Sequence, residues 1–80
     1  MIWYADDGHG WLAVRVDAVK AAGVFGQISH CSFDRGGTMY LEEDCDAPRF
    51  LRAIGHDGRG IETVYDRGES PIRQYHRHTT

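Results

Sequence analysis

The sequence predicts an α+β domain, in which an antiparallel β-sheet carries two short helices packed on one face. Three patterns predict it: alternating apolar residues over 11–16, a glycine turn at 34–37 between two arms, and a helical apolar stripe over 47–54. The chain has 80 residues, of which 41% are hydrophobic. A second core cannot be built from so few residues, so we expect residues 1–80 to form a single domain.

The first half of the chain is expected to begin with a hairpin. Apolar and polar residues alternate over 11–16, as in a half-buried strand, and residues 8–10 before it are turn-forming. Residues 2–4 are therefore the predicted first arm. Asp17 is then placed to cap a short helix over 18–22.

The second half continues with another hairpin, whose arms are residues 27–33 and 38–43. The apolar spacing over 47–54 predicts a helix after it. Residues 61–65 and 72–75 are weaker strand candidates. The segment 76–80 is expected to be a frayed tail.

Composition excludes several classes of protein. No apolar run reaches the roughly 20 residues that span a bilayer, and no basic or long apolar leader is present, so we expect no membrane association and no secretory signal. Cys31 and Cys45 form no CxxC motif and are fewer than a small secreted domain usually carries, which predicts reduced thiols in a cytoplasm. The small core favours a binding surface over an enclosed catalytic cleft.

The most unusual feature is a run of four carboxylates in five residues: Glu42, Glu43, Asp44 and Asp46. The first 46 residues hold eight carboxylates against three cations, whereas residues 47–80 hold six arginines against four carboxylates. Blocks of like charge repel one another unless something neutralises them, and they often bind partners. The run is therefore a candidate surface for a basic partner.

Two structural interpretations of this run compete with the functional one. Asp44 or Asp46 can cap the following helix, where the helix dipole favours negative charge. The other carboxylates can pair with cations of the same chain, namely Arg35, Arg49 and Arg52.

Two aromatic residues extend the candidate surface. Trp11 shares its strand face with Ala13 and Arg15, and Tyr40 shares its face with Glu42. If those faces are exposed, both aromatics stand beside the acidic run, as in an interaction hot spot. If both faces of the sheet are covered, they are core residues instead.

Metal and thiol chemistry have little support. His30 and Cys31 are adjacent on a predicted strand, so their side chains point to opposite faces, and the remaining histidines and Cys45 lack ligand-pair spacing. Cys45 at a helix start can have a lowered pKa, but no nucleophile motif surrounds it. We therefore expect no catalytic residue, metal or cofactor.

Residues 8–12 (GHGWL), 39–47 (MYLEEDCDA) and 70–73 (SPIR) resemble motifs of a family of small phage and mobile-element proteins of proteobacteria. Some of these proteins resemble type I anti-CRISPR inhibitors, and this chain is similar to one of the type I-C group. The resemblance implies binding to the Cascade surveillance complex in the cytoplasm of the bacterial host, where it blocks recognition of target DNA.

These observations predict an inhibitor that binds protein through Glu42, Glu43, Asp44 and Asp46 together with Tyr40 and Trp11. We expect a monomer or weak dimer, without direct binding to nucleic acid. The alternative is a small nucleic-acid-binding phage regulator that uses the arginines of residues 47–80. The acidic sequence pI of about 5.9 disfavours it, because binding to phosphates depends on positive charge.

Overall fold

Residues 1–79 are described by a computed structural model and form a six-stranded sheet with two α-helices and two 3-10 helices. The strands are β1 (Ile2–Ala5), β2 (Gly10–Arg15), β3 (Phe33–Arg35), β4 (Thr38–Glu42), β5 (Glu62–Tyr65) and β6 (His76–Arg77). The α-helices are α1 (Val16–Ala21) and α2 (Asp46–Ala53), and the 3-10 helices span Phe25–Gln27 and Pro71–Gln74. The α+β fold predicted from the sequence is confirmed.

The strand order is β5-β1-β2-β4-β3-β6, and neighbouring strands run antiparallel except for the parallel pair β1 and β5. Both predicted hairpins are present. The β3–β4 turn contains Gly36 and Gly37 at φ of +57° and +80°, a left-handed conformation that glycine adopts without strain. The central strands β2 and β4 pair with Trp11 opposite Glu42, so the start of β2 lies beside the end of β4.

The main core lies between the sheet and the two α-helices. Leu12 and Leu41 face each other across β2 and β4 and are fully buried. They pack with Val19 of α1 and with Phe50 and Leu51 of α2. Alternation along the strands and the helical stripe of α2 thus put both helices on the same face, as predicted.

A second apolar cluster covers the opposite face of the sheet. Trp11, Phe33 and Ile72 are buried there, and three half-buried tyrosines pack around them: Tyr4, Tyr40 and Tyr75. Ile72 belongs to the 3-10 helix Pro71–Gln74, so a C-terminal segment closes this face. Trp11 therefore lies on a covered face of the sheet and is a core residue, not an exposed one.

Several predicted elements are wrong in their details. Of the arm over 27–33, Gln27 ends a 3-10 helix, residues 28–32 form a loop, and only Phe33 belongs to β3. Residues 72–75 lie in a 3-10 helix and its cap instead of a strand. The first helix begins at Val16, and Asp17 lies in its first turn instead of capping it.

The prediction of a frayed tail is also wrong. His76 and Arg77 form β6 and pair with β3, and the backbone N–H of His78 donates to the carbonyl of Ser32 at 2.8 Å. The His78 ring is buried and contacts Asp34 through Nδ1 at 2.9 Å. Thr80, the last residue of the predicted tail, lies outside the described residues.

None of the helices within residues 1–79 has the length and apolar composition that crossing a membrane requires.

Candidate functional site

The predicted acidic surface is a tight turn between β4 and α2, and we call residues 42–45 the acidic turn. The Glu42 carboxylate accepts the backbone N–H of Asp44 at 2.6 and 3.2 Å. The backbone N–H of Glu43 donates to the carbonyl of Gly10 at 3.0 Å. These bonds fix the backbone of the turn against the start of β2.

Glu43 lies directly over Gly10. A Cβ atom at Gly10 would approach Glu43 Oε2 to 2.9 Å, closer than van der Waals contact allows. Gly10, the second glycine of the GHGWL segment, therefore makes room for this carboxylate. Both Glu43 and Asp44 are exposed, while Glu42 is half-buried.

Asp46 has a different role from its neighbours. It is 1% exposed and accepts hydrogen bonds from the Ser29 backbone N–H (3.1 Å), the Ser29 hydroxyl (2.8 Å) and the Ser32 hydroxyl (2.5 Å). It is the first residue of α2, whose N-cap is Cys45, and no side chain caps this helix. Both predictions for Asp46, as a cap and as part of an exposed patch, are therefore wrong. Its carboxylate joins the 29–32 loop to the helix.

Trp11 is likewise not available to a partner, because it is 2% exposed and packs edge-on against Phe33 with ring centroids 6.2 Å apart. This burial corrects its predicted place in the surface. Tyr40 is half-buried between Tyr4 and Tyr75, at centroid distances of 6.1 and 5.1 Å. Burial, reinforced by these two phenols, raises the pKa of Tyr40. Tyr40 thus retains an edge near the surface but belongs mainly to the second apolar cluster.

The acidic turn is not neutralised from within. Within residues 1–79 the ion pairs are Arg59–Asp57, Arg73–Asp6 and His78–Asp34, and none involves Glu42, Glu43 or Asp44. The arginines expected to pair with the run have other contacts or none: Arg49 donates to the Gln27 side-chain oxygen, and Arg35 lies over the Tyr75 ring. The hypothesis of internal pairing therefore fails for these three carboxylates.

A cleft of about 280 Å³ borders the turn on the sheet face opposite the α-helices. Trp11 and Phe33 line it together with Glu42, Arg73 and Arg77. The Arg73 guanidinium lies 5.6 Å from the Trp11 ring, and that of Arg77 lies 5.0 Å from the Phe33 ring. The cations are thus stacked on aromatic faces.

Arg73 is held in place by Asp6, a residue that the sequence did not predict to be part of the site. Asp6 Oδ2 accepts from Arg73 Nε at 2.6 Å, Asp6 Oδ1 accepts from Arg73 Nη2 at 3.0 Å, and the Ser70 N–H donates to the same carboxylate at 2.8 Å. The Arg73 guanidinium, aided by the N–H groups of Ser70, His9 and Gly8, holds the pKa of Asp6 well below its usual range despite burial. An Asp two residues before Gly8 is a turn signal, but nothing local indicates its distant partner.

The two cysteines are free thiols, with Cys31 half-buried in the cleft and Cys45 exposed in the acidic turn. Within residues 1–79, no group of three or more His, Cys, Asp or Glu side chains is arranged to hold a metal ion.

The site and fold together define an α+β protein with an unneutralised acidic turn beside an arginine-bearing cleft. Comparison with protein-family models, with curated proteins and with solved structures finds no match to this chain.

Proposed function

We propose that this protein is an inhibitor that works by docking its acidic turn on a basic surface of a partner. The observation that supports the proposal is the pair of exposed carboxylates on Glu43 and Asp44, which have no cationic partner within residues 1–79. On this proposal the protein acts by occupying a surface, without a catalytic step, metal or cofactor.

Holding these like charges close together costs free energy. Adjacent carboxylates repel each other, and the hydrogen bonds of the turn fix the backbone that carries them, so the two side chains stay on neighbouring positions of one tight turn. A partner arginine would relieve this repulsion, because its planar guanidinium donates to carboxylates in pairs. A rigid backbone also reduces the ordering cost of binding.

The partner we propose is the type I Cascade surveillance complex. This choice rests on the resemblance of the GHGWL and MYLEEDCDA segments to a family of small phage and mobile-element proteins, some of which resemble type I anti-CRISPR inhibitors. Cascade must carry basic surfaces to hold nucleic acid and to recognise its target sequence. Carboxylates of the acidic turn suit those same arginines and lysines. Blocked recognition of target DNA is the expected consequence.

The alternative, a regulator that binds nucleic acid through its arginines, has weaker support. Asp6 neutralises Arg73, and Asp57 lies 3.6 Å from Arg59. Arg77 donates to the His30 carbonyl at 3.1 Å while it stacks on Phe33. The buried Asp6 thus takes one arginine from those available to phosphates, and Arg77 is already engaged by neutral groups.

The test combines a pull-down with purified Cascade and a competition assay for binding of target DNA. We expect the Glu43→Lys/Asp44→Lys variant to lose at least about tenfold in affinity, because attraction becomes repulsion at the docking surface. Glu62→Lys/Glu69→Lys is the matched control, since it makes the same change in net charge at exposed carboxylates elsewhere. Thermal unfolding of both variants should remain cooperative.

Equal inhibition by the turn variant and the wild type would refute the acidic-turn mechanism. Failure of the wild type to bind Cascade, combined with tight and salt-sensitive binding of bare duplex DNA, would instead favour the regulator.

A further inference from the structure

Cys31 and Cys45 are 14 positions apart in sequence, yet the fold brings them together. The residues that follow them, Ser32 and Asp46, are hydrogen-bonded to each other, and the Cys31 thiol is near enough to raise the pKa of Cys45. Neither cysteine is paired in a disulfide. Cys31 lies in the cleft and Cys45 lies in the acidic turn, so solvent can reach both side chains.

The cysteines are kept close by the residues that follow each of them. Ser32 donates to Asp46 at 2.5 Å, which ties the position after Cys31 to the position after Cys45. Ser32 Oγ also accepts the Glu42 N–H at 3.0 Å, and the Cys31 N–H donates to Ser29 Oγ at 3.1 Å. The 29–32 loop is therefore held beside the acidic turn and the start of α2 by these hydrogen bonds.

We propose that Cys31 and Cys45 are a modification site, at which a low-molecular-weight disulfide oxidises the two thiols to an intramolecular disulfide. The bond would fasten the acidic turn to the 29–32 loop and close the main-chain loop between the two cysteines.

The chemistry is an ordinary thiol–disulfide exchange in two steps. The exposed Cys45 thiolate attacks one sulfur of the oxidant, which breaks the oxidant's S–S bond and expels one thiolate. The Cys31 thiolate then attacks the Cys45 sulfur of the mixed disulfide and expels the second. Two electrons pass from the cysteines to the oxidant, and the two protons lost by the cysteines are taken up by the two departing thiolates.

The acidic turn sets the rate of this reaction. Burial, the Glu42 carboxylate and the neighbouring Cys31 and Asp46 all raise the pKa of Cys45. Because only the thiolate attacks, a raised pKa means slow oxidation near neutral pH and faster oxidation as the pH rises. The pair would therefore react slowly near neutral pH. Whether it is oxidised depends on the thiol–disulfide balance of its surroundings, and accumulation of small disulfides would favour the oxidised form.

The experiment uses the full chain and oxidised glutathione at pH 8. We expect both thiols to disappear from a titration under denaturing conditions, with a monomer that has lost two hydrogens in its intact mass and a Cys31–Cys45 cross-link in its peptide map. The oxidised protein should unfold at least about 5 °C higher than the reduced one, because the cross-link restricts the unfolded chain.

Cys31→Ser and Cys45→Ser are the matched controls, and each should retain one glutathione on the remaining cysteine. A wild-type protein that also stops at a stable glutathione adduct, or that forms only intermolecular dimers, would overturn the proposal. These readouts need no partner, so they stand or fall separately from binding to Cascade.

Discussion

Asp6 and Asp46 are two buried carboxylates that the fold satisfies in different ways. Asp46 accepts only from neutral donors, namely the Ser29 and Ser32 side chains and one backbone N–H, whereas Asp6 has the Arg73 guanidinium as well as backbone donors. In both cases donors from a distant part of the chain take part: Ser29 and Ser32 for Asp46, and Ser70 and Arg73 for Asp6. Each carboxylate therefore joins a loop to a regular element, at a cost in desolvation that its hydrogen bonds offset.

Replacement of Asp46 is expected to destabilise the protein far more than replacement of its exposed neighbour. Asp46→Ala leaves the Ser29 and Ser32 donors without their acceptor, which should lower the free energy of unfolding by about 3 kcal/mol. Asp44→Ala removes an exposed carboxylate and should change it by less than about 0.5 kcal/mol. Urea unfolding measures both. Equal effects of the two substitutions would show that the serine contacts contribute little.

Acid is expected to weaken the fold through Asp6. The pKa of Asp6 in the folded protein is lowered, so as the pH falls through the usual value of about 4 the unfolded chain takes up a proton before the folded one does. The stability that this group contributes is thus fully present above about pH 5 and declines below pH 4. Urea unfolding between pH 6 and pH 3 should show this decline. Asp6→Asn should be less stable at pH 6 and should lose less on acidification.

At the scale of elements, local patterns predicted those elements whose partners are close in sequence. The Gly36-Gly37 turn specifies the β3–β4 hairpin, and the apolar stripe of residues 47–54 specifies α2 within one residue at each end. The errors fall where a distant partner decides the conformation. Residues 72–75 follow Ser70, whose hydroxyl accepts the Ile72 N–H and starts a 3-10 helix over the sheet.

The C-terminal strand provides a prediction at this scale. Deletion of residues 76–80 removes β6 and the buried His78 and uncovers the edge of β3, and we expect it to lower the free energy of unfolding by roughly 1–3 kcal/mol. Deletion of residues 79–80 alone is the control and should have little effect, because Thr79 is exposed. Limited proteolysis should follow the same order. A stable 1–75 fragment would mean that this strand contributes little.

At the scale of the whole molecule, the sheet is covered on both faces, and this determines which predicted residues can meet a partner. Of the predicted surface, Glu43 and Asp44 are exposed. Glu42 and Tyr40 are half-buried, and Trp11 and Asp46 are buried. The surface that remains is smaller than the sequence indicates, and its exposed members are the two carboxylates Glu43 and Asp44. Binding through it would depend mainly on charge, because Trp11, the aromatic residue expected to anchor a partner, is buried in the second apolar cluster.

Binding through such a surface should depend on ionic strength. Between exposed charges, salt screens the attraction beyond about 8 Å at 0.15 M. We expect raised salt to slow association of the wild type with Cascade, and the Glu43→Lys/Asp44→Lys variant to show the opposite dependence, because salt then screens a repulsion. Surface plasmon resonance at several salt concentrations measures the association rate. A salt-independent rate for the wild type would contradict a docking step led by these carboxylates.

The sequence by itself determined the fold class, both hairpins, α2 and the location of the acidic turn. It did so because alternation, helical spacing and glycine turns act between residues near one another in the chain. Only the tertiary structure decided that Asp46 turns inward to two serines, that Trp11 is covered by residues 70–75, and that Cys31 lies near Cys45. Burial and hydrogen-bond partners depend on which segments meet in space, and no local pattern in an 80-residue chain specifies that.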